Sequence, residues 1–301
     1  MHKSVLLHEV MCYLKAEKGG TFIDATFGAG GHTRAILAAN DRNMVIAIDW
    51  DSHALDTYGI PLQEEFGDRL RLIWGSFAHL YKIVKKEKIG KVHGILADFG
   101  TSQVQIMEQS GFSVYRDTPL DMRMSRSHYH TTAQEVVNQA SAEKLRQIFW
   151  QLGEERYAKQ IVDLLMEERK KRLITTTMQL ADIVARAIPK KSPRDTMHTI
   201  HPATRVFQAL RMYVNNELDN IEAFLASTIN VLGNEGRLVC ISFHSLEDRI
   251  VKLFLQEQAQ LGNLDVLTKK VVVAQPDEIQ ANPSSRSARL RAACCMRNSS
   301  D

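Results

Sequence analysis

Residues 21–32 read Thr-Phe-Ile-Asp-Ala-Thr-Phe-Gly-Ala-Gly-Gly-His. Thr21–Asp24 is a short β-prone run, Gly28, Gly30 and Gly31 make a turn, and His32 to Ala39 has the make-up of a helix. Glycines allow a tight turn and let backbone amides approach a ligand closely. A dinucleotide fingerprint would need its third glycine at position 33, where this chain has Thr33. Working outward, Met44–Asp49 (MVIAID) reads as a second strand, Leu70–Trp74 as a third and His93–Asp98 as a fourth. Ser52 to Phe66 reads as helical, with a break expected near Gly59-Ile60-Pro61. Continuous apolar strands alternating with helices predict a parallel sheet covered on both faces.

In such a sheet, ligands bind at the carboxyl ends of the strands. Asp49 ends the second strand eighteen residues beyond Gly31 and could accept hydrogen bonds from both hydroxyls of a ribose. Phe77, in Gly75-Ser76-Phe77, could flank an adenine, and Asp98 would face the reaction centre. Together these features favour an S-adenosylmethionine (SAM) methyltransferase over a nicotinamide enzyme. Plainer readings stand beside them: Asp24 as a turn cap, Phe77 as a core aromatic, His32 as a packing or capping residue.

The middle of the chain changes character. Thr131–Leu152 and Glu154–Arg172 read as helices separated at Gly153, and Thr176–Ile188 as another. Beyond them come a long helix over Ala203–Leu232, a strand at Arg237–Phe243, a helix at Leu246–Gln258 and last strands within 264–273 and 287–295. The expected organisation is a core of residues 1–105 and 208–301, interrupted by an all-helical insertion, residues 106–207, suited to substrate recognition.

Composition narrows the function classes. The 301 residues carry 38 Lys+Arg against 35 Asp+Glu, a net charge of +3, with 44% hydrophobic and 24% charged residues. These values exclude a disordered or fibrous chain. The charge excess is too small to announce a nucleic-acid binder, so a basic surface would have to come from local clusters. No apolar run approaches the roughly 20 residues of a membrane helix, and the N-terminus does not read as a signal peptide. Cys12, Cys240, Cys294 and Cys295 have no C-x-x-C spacing, which predicts reduced thiols in a cytoplasmic protein and no metal site.

A set of motifs goes further. His2-x-x-Val5-Leu6-Leu7-x-Glu9-Val10, DATFGAGGHTRAIL (24–37), AIDWD (47–51), GILADFG (94–100), GFS (111–113), PLDMRM (119–124), GEERYAKQI (153–161), HPATRVFQALR (201–211), VNNEL (214–218), ISFHSLEDRIVK (241–252) and NPSSRSARLR (282–291) span nearly the whole chain. With them the sequence resembles the bacterial 16S ribosomal RNA cytosine-N4 methyltransferase family, also called MraW. The resemblance implies a class I methyltransferase core, Rossmann-like with a mostly parallel seven-stranded sheet. It implies SAM as donor and, as acceptor, a cytosine in the decoding region of small-subunit rRNA. It maps cofactor contacts onto Gly30, Gly31, His32, Asp49, Phe77, Asp98 and Gln105, to which the glycine turn adds Gly28. The family pattern D-L-G-V-S-S-x-Q is here Asp98-Phe99-Gly100-Thr101-Ser102-Gln103-Val104-Gln105, with Gln103 in place of the second serine.

A cytosine N4 amine is a poor nucleophile, because its lone pair is delocalised into the ring. An enzyme must place it in line with the methyl–sulfur bond and accept its hydrogens. Asp98 and Ser102 are the candidates for that work, and His244 could line a base pocket. Arg205, Arg211, Lys190, Lys191 and Arg289 are the candidate RNA contacts. The expected partner is 16S rRNA, within the small subunit. Two other classes remain open on sequence: a methyltransferase for another nucleic acid, and an inactive RNA-binding or ribosome-assembly protein of the same fold.

Overall fold

The computed structural model describes residues 3–99, 111–189 and 201–296. The chain forms two compact units, Met1–Gly100 with Leu218–Asp301, and Thr101–Glu217.

The first unit is built on strands β1 (Thr21–Asp24), β2 (Met44–Asp49), β3 (Leu70–Trp74), β4 (Val92–Asp98), β5 (Leu232–Ser242), β6 (Leu264–Val266), β7 (Val272–Val273) and β8 (Arg289–Cys295). Their order is β3-β2-β1-β4-β5-β8-β6, with the two-residue β7 also pairing to β8. The pairings among β1 to β5 are parallel. β8 runs antiparallel to β5, β6 and β7. This is the class I methyltransferase sheet expected from the sequence, seven strands on its main path. β1 lies between β2 and β4, so strand order reverses at the glycine turn, where open α/β sheets bind ligands.

Side chains alternate faces along a strand, and the two faces carry separate cores. Ile23, Ile48, Ile95 and Leu238 pack with Leu80, Phe224, Leu225 and Val251. Phe22, Ala47, Leu96 and Val239 pack with Val10, Leu14, Ile36 and Leu62. Covering both faces is what demands continuously apolar strands. Fully buried residues such as Phe22 and Ile23 each contribute about 1.5–3 kcal/mol of transfer free energy.

Four local expectations need correction. The stretch 52–66 is not broken at Pro61: a π-helical segment, Leu55–Gly59, runs straight into the helix Ile60–Phe66. Pro61 comes just after this wide turn, and a π turn lets a helix pass a proline, which has no N–H and would crowd the carbonyl four residues back. A Cβ on Gly59 would sit 2.8 Å from Leu72, so the glycine serves close packing on β3. The stretch 264–273 holds two short strands, β6 and β7, rather than one.

The second unit packs helices Ala133–Gln139, Ala142–Gln151, Ala158–Lys171, Thr177–Ala187 and Thr204–Val214 around Leu145, Phe149, Ile161, Leu165, Leu180, Val206 and Leu210. The helix expected over 131–152 is two, because the Ser141 hydroxyl accepts from the Lys144 amide at 3.2 Å and caps a new start. The helix expected over 203–232 is also two, Thr204–Val214 and Glu217–Val231, parted at Asn215 and at Asn216, whose φ is +47°. Asn215 is fully buried. Its Oδ1 accepts from the Met124 amide at 2.7 Å, and its Nδ2 donates to the carbonyls of Met122 and Arg211, both at 2.8 Å. It thereby holds the Leu120–Met124 turn, in which Met122 has φ +62°. Among the described residues, no helix is long and apolar enough to cross a membrane.

Candidate active site

The loop after β1 is fastened to its neighbours at several points. The Ala25 amide donates to Leu96 O at 2.8 Å and the Phe27 amide to Ile48 O at 3.0 Å, extending the sheet pairing past the strand. Thr26 Oγ1 accepts from the Asp98 amide at 2.7 Å, tying the loop to the end of β4. Gly30 then takes φ +74° and caps the helix Gly31–Ala39. A Cβ on Gly30 would lie 2.8 Å from the Phe27 ring, and one on Gly31 would collide with Ser4 Oγ. Above Gly28, at φ +55°, the nearest atom to a Cβ among the described residues would be 4.0 Å away. That position is glycine for its dihedral and stays open to an incoming group.

Three carboxylates border this turn. Asp24 pairs in register with Ala47 and with Leu96. By strand alternation, Asp24, Asp49 and Asp98 therefore belong to the same face of the sheet. Asp24 is 1% exposed and accepts from Thr33 Oγ1 at 2.7 Å and from the Thr26 amide at 3.2 Å. Asp49 accepts from the amides of Gly28 at 2.7 Å and Asp51 at 2.9 Å. Burial pushes the pKa of each up to about 6, against the lowering effect of these hydrogen bonds. Asp98 is only half-buried. Each Asp49 oxygen keeps a second lone pair beyond its backbone bond, so the carboxylate can still accept from a diol.

Phe77 sits in an aromatic cluster, its ring 6.2 Å from Trp50, 5.8 Å from Phe99 and 5.7 Å from Phe224. It is at once a core aromatic and a wall for a flat ring. The open glycine, the carboxylate acceptors and this wall fit an adenosine-bearing cofactor. Sequence reasoning missed Trp50, Thr26 and Thr33. The last two are hydroxyls inside a turn motif, at positions where simple packing would take an alkyl group.

Other candidates fall differently. The His32 ring is buried and donates through Nε2 to the Val5 carbonyl at 3.0 Å. Its side chain anchors the N-terminal segment. His244 caps the helix Ser245–Gln260: its Nδ1 accepts from the Glu247 amide at 3.4 Å, and Glu247 accepts from the Phe243 amide at 2.8 Å. Ser242, two residues earlier, is 1% exposed, and its Oγ makes no hydrogen bond among the described residues.

Arg211 does not fit the expected phosphate contact. Its guanidinium grips Glu217 twice, at 2.8 and 2.9 Å, and the pair is largely buried. Arg205 is exposed and, among the described residues, makes one bond, to the Glu154 carbonyl at 3.2 Å. Arg289 is half-buried on β8. Ser102, Gln105, Lys190 and Lys191 lie outside the described residues.

The MraW methylase family model matches residues 1–295. A ribosomal RNA small subunit methyltransferase H from Sulfurihydrogenibium azorense is 46% identical over 292 residues, covering 97% of this chain and 98% of that protein. The protein of the same name from Persephonella marina is 42% identical, with 97% and 98% covered. Among solved structures, an rRNA methylase from Streptococcus thermophilus aligns at a TM-score of 0.43 and 12% identity, over 99% of each chain. A family match over almost the full length, with relatives above 40% identity end to end, means that this chain belongs to the MraW methylase family.

Proposed function

We propose that this protein transfers the methyl group of SAM to the exocyclic N4 of a cytosine in 16S rRNA, in the cytoplasm. As a family member it is a SAM-dependent methylase. The relatives' names supply small-subunit rRNA as the acceptor class. The observation that carries the amino acceptor is Asp98, a half-buried carboxylate at the end of β4, on the same sheet face as Asp24 and Asp49.

SAM supplies a methyl group that is already electrophilic, so the chain's own task is to hold and orient. The glycine turn offers backbone amides and open space at Gly28. Asp49 accepts hydrogen bonds from a ribose, and Phe77 with Trp50 packs a flat ring. Asp98 is fixed by its amide's bond to Thr26, which aims the carboxylate from a rigid strand end. An ionised carboxylate only accepts hydrogen bonds. It can orient an amine, offset the positive charge as the nitrogen becomes tetrahedral and accept the proton that the methylated nitrogen loses as the C–S bond breaks. Such positioned acceptors contribute roughly 10²–10⁴-fold in rate. Ser102 and Gln105 extend this proposal along the loop after β4. The helical unit is proposed to recognise the RNA.

The test is methyl transfer from labelled SAM to small subunits lacking the modification, followed by nucleoside analysis. Labelled N4-methylcytidine is expected. Label on a ring carbon, on a ribose or on another base would overturn the amino acceptor.

A further inference from the structure

We propose that Tyr115, His201 and Arg205 form a site on the helical unit that holds one unpaired RNA nucleotide, with its base stacked on Tyr115 and its phosphate on Arg205. The inference rests on the RNA-methylating reading above and adds a binding site to it.

Tyr115 is 75% exposed, an unusual state for a large aromatic ring. Its backbone is pinned. The Tyr115 amide donates to Ser113 Oγ at 3.2 Å, and Thr177 Oγ1 donates to the Arg116 carbonyl at 2.5 Å. The Thr118 amide donates to the same threonine oxygen at 3.1 Å. A ring on a fixed backbone gives up little freedom when a base stacks on it. The His201 ring stands edge-to-face with Tyr115, centroids 5.4 Å apart and planes at 77°. This contact steadies the phenol while its exposure leaves a face open.

His201 is itself fixed, its Nδ1 accepting from the Ala203 amide at 3.1 Å. Burial holds its pKa below the usual value, which favours the neutral ring. The chain turns from His201 directly into the helix Thr204–Val214, through a bond from the Thr204 amide to the His201 carbonyl at 3.0 Å. Arg205 therefore follows in the first helical turn, and its bond to Glu154 O uses one of its five N–H donors. The residues beside Tyr115, Arg116 and Asp117, are exposed and polar. The core of a protein interface is depleted in charge. An exposed ring with charge around it instead matches single-stranded nucleic acid, where bases stack on aromatics and arginines take phosphates.

The experiment measures methyl transfer to unmodified small subunits at saturating SAM, with subunit concentration varied. Tyr115→Ala is expected to raise KM about tenfold, the scale of losing one stacked base, with kcat little changed. Tyr115→Trp should keep the wild-type KM, whereas Tyr115→Leu, apolar but without a π face, should behave like alanine. Arg205→Ala should raise KM less at high salt than at low salt. Equal KM for wild type and Tyr115→Ala would overturn the site, as would rescue by leucine equal to that by tryptophan. A wild-type protein that methylates no small-subunit RNA refutes the functional reading instead. Anisotropy of a labelled oligouridylate then tests the site alone: about tenfold weaker binding by Tyr115→Ala supports it, and equal binding overturns it.

Discussion

The backbone amide of Gly28 donates to Oδ2 of Asp49 at 2.7 Å, so the turn after β1 and the acid that ends β2 are parts of one device. Gly28 offers both the bond and open space, since a Cβ there would meet nothing nearer than 4.0 Å among the described residues. Gly28→Ala should therefore cost the fold only the strain of φ +55°, about 1–2 kcal/mol. Gly262 is a matched control. It has φ +74° with nothing near its Cβ position, beyond the far end of the helix Ser245–Gln260. Both alanine variants should lose similar melting temperature, while calorimetry finds SAM affinity lost only in Gly28→Ala. Equal affinity in the two would remove Gly28 from the cofactor site.

Burial gives Asp49 a pKa of about 6 instead of 3.8, and that makes cofactor binding pH-dependent. Above pH 6 the side chain is the acceptor a ribose needs. Below it the carboxyl is protonated, and affinity should fall by up to tenfold per pH unit. The sign for stability is opposite. The folded state holds this proton more tightly than the unfolded chain, so the group's contribution is full below about pH 4 and is lost as pH rises through 6. Asp49→Asn should bind SAM weakly at pH 8 and approach the wild type at pH 5. The melting temperature of the wild type relative to this variant should rise across the same interval as pH falls. A wild-type affinity that is flat from pH 5 to pH 8 would refute the ionised carboxylate as the acceptor.

The two arginines of HPATRVFQALR should separate cleanly. Arg211→Ala strips a bidentate partner from the nearly buried Glu217 and should cost about 2–3 kcal/mol, measured by denaturant unfolding. Arg205→Ala should stay within about 0.5 kcal/mol of wild-type stability. Its RNA affinity should show a salt slope shallower by about 0.7–0.9, one phosphate's worth. Normal stability in Arg211→Ala would return that residue to the RNA surface.

The strands and the glycine turn were legible in the sequence because their signals are local. Thr21–Asp24 and Met44–Asp49 are apolar runs ended by an acid, and φ-permissive glycines follow the first. The helix break at Asn215 was not legible, because what ends that helix acts at a distance, whereas the Ser141 cap is a local signal inside a run that otherwise reads as helical. Asn215 interrupts an apolar stripe to bond Met122 and Met124, some ninety positions earlier in the chain. Gly111 is glycine because, at φ +100°, a Cβ would lie 2.6 Å from the Met122 amide. A motif such as VNNEL or GFS thus marks a long-range contact that periodicity cannot show. His244 and Arg211 differ: in sequence they look like chemistry, and nearby acids, Glu247 three residues on and Glu217 six residues on, engage them.

The last prediction concerns Asp98. Its amide is bound to Thr26 Oγ1, and the amide of the next residue, Phe99, donates to Ile241 O at 3.0 Å, so the backbone is held on both sides of the sheet end. Asp98→Asn should leave that scaffold unchanged, and its melting temperature should stay near wild type. What changes is the chemistry, because an amide donates as well as accepts and carries no charge. A donor facing an amine is mismatched, and positive charge developing on the nitrogen has no counter-charge. Single-turnover methyl transfer should fall by about 10²-fold or more, with RNA affinity little altered. Raising SAM to saturation divides the two roles Asp98 could fill. A rate that stays low means that the carboxylate orients the amine, and a rate that recovers means that it holds the cofactor. Near wild-type turnover at both limiting and saturating SAM would refute both. The search would then pass to His244 and the Ser242–Ser245 loop, which follows β5 next to Asp98 in the sheet.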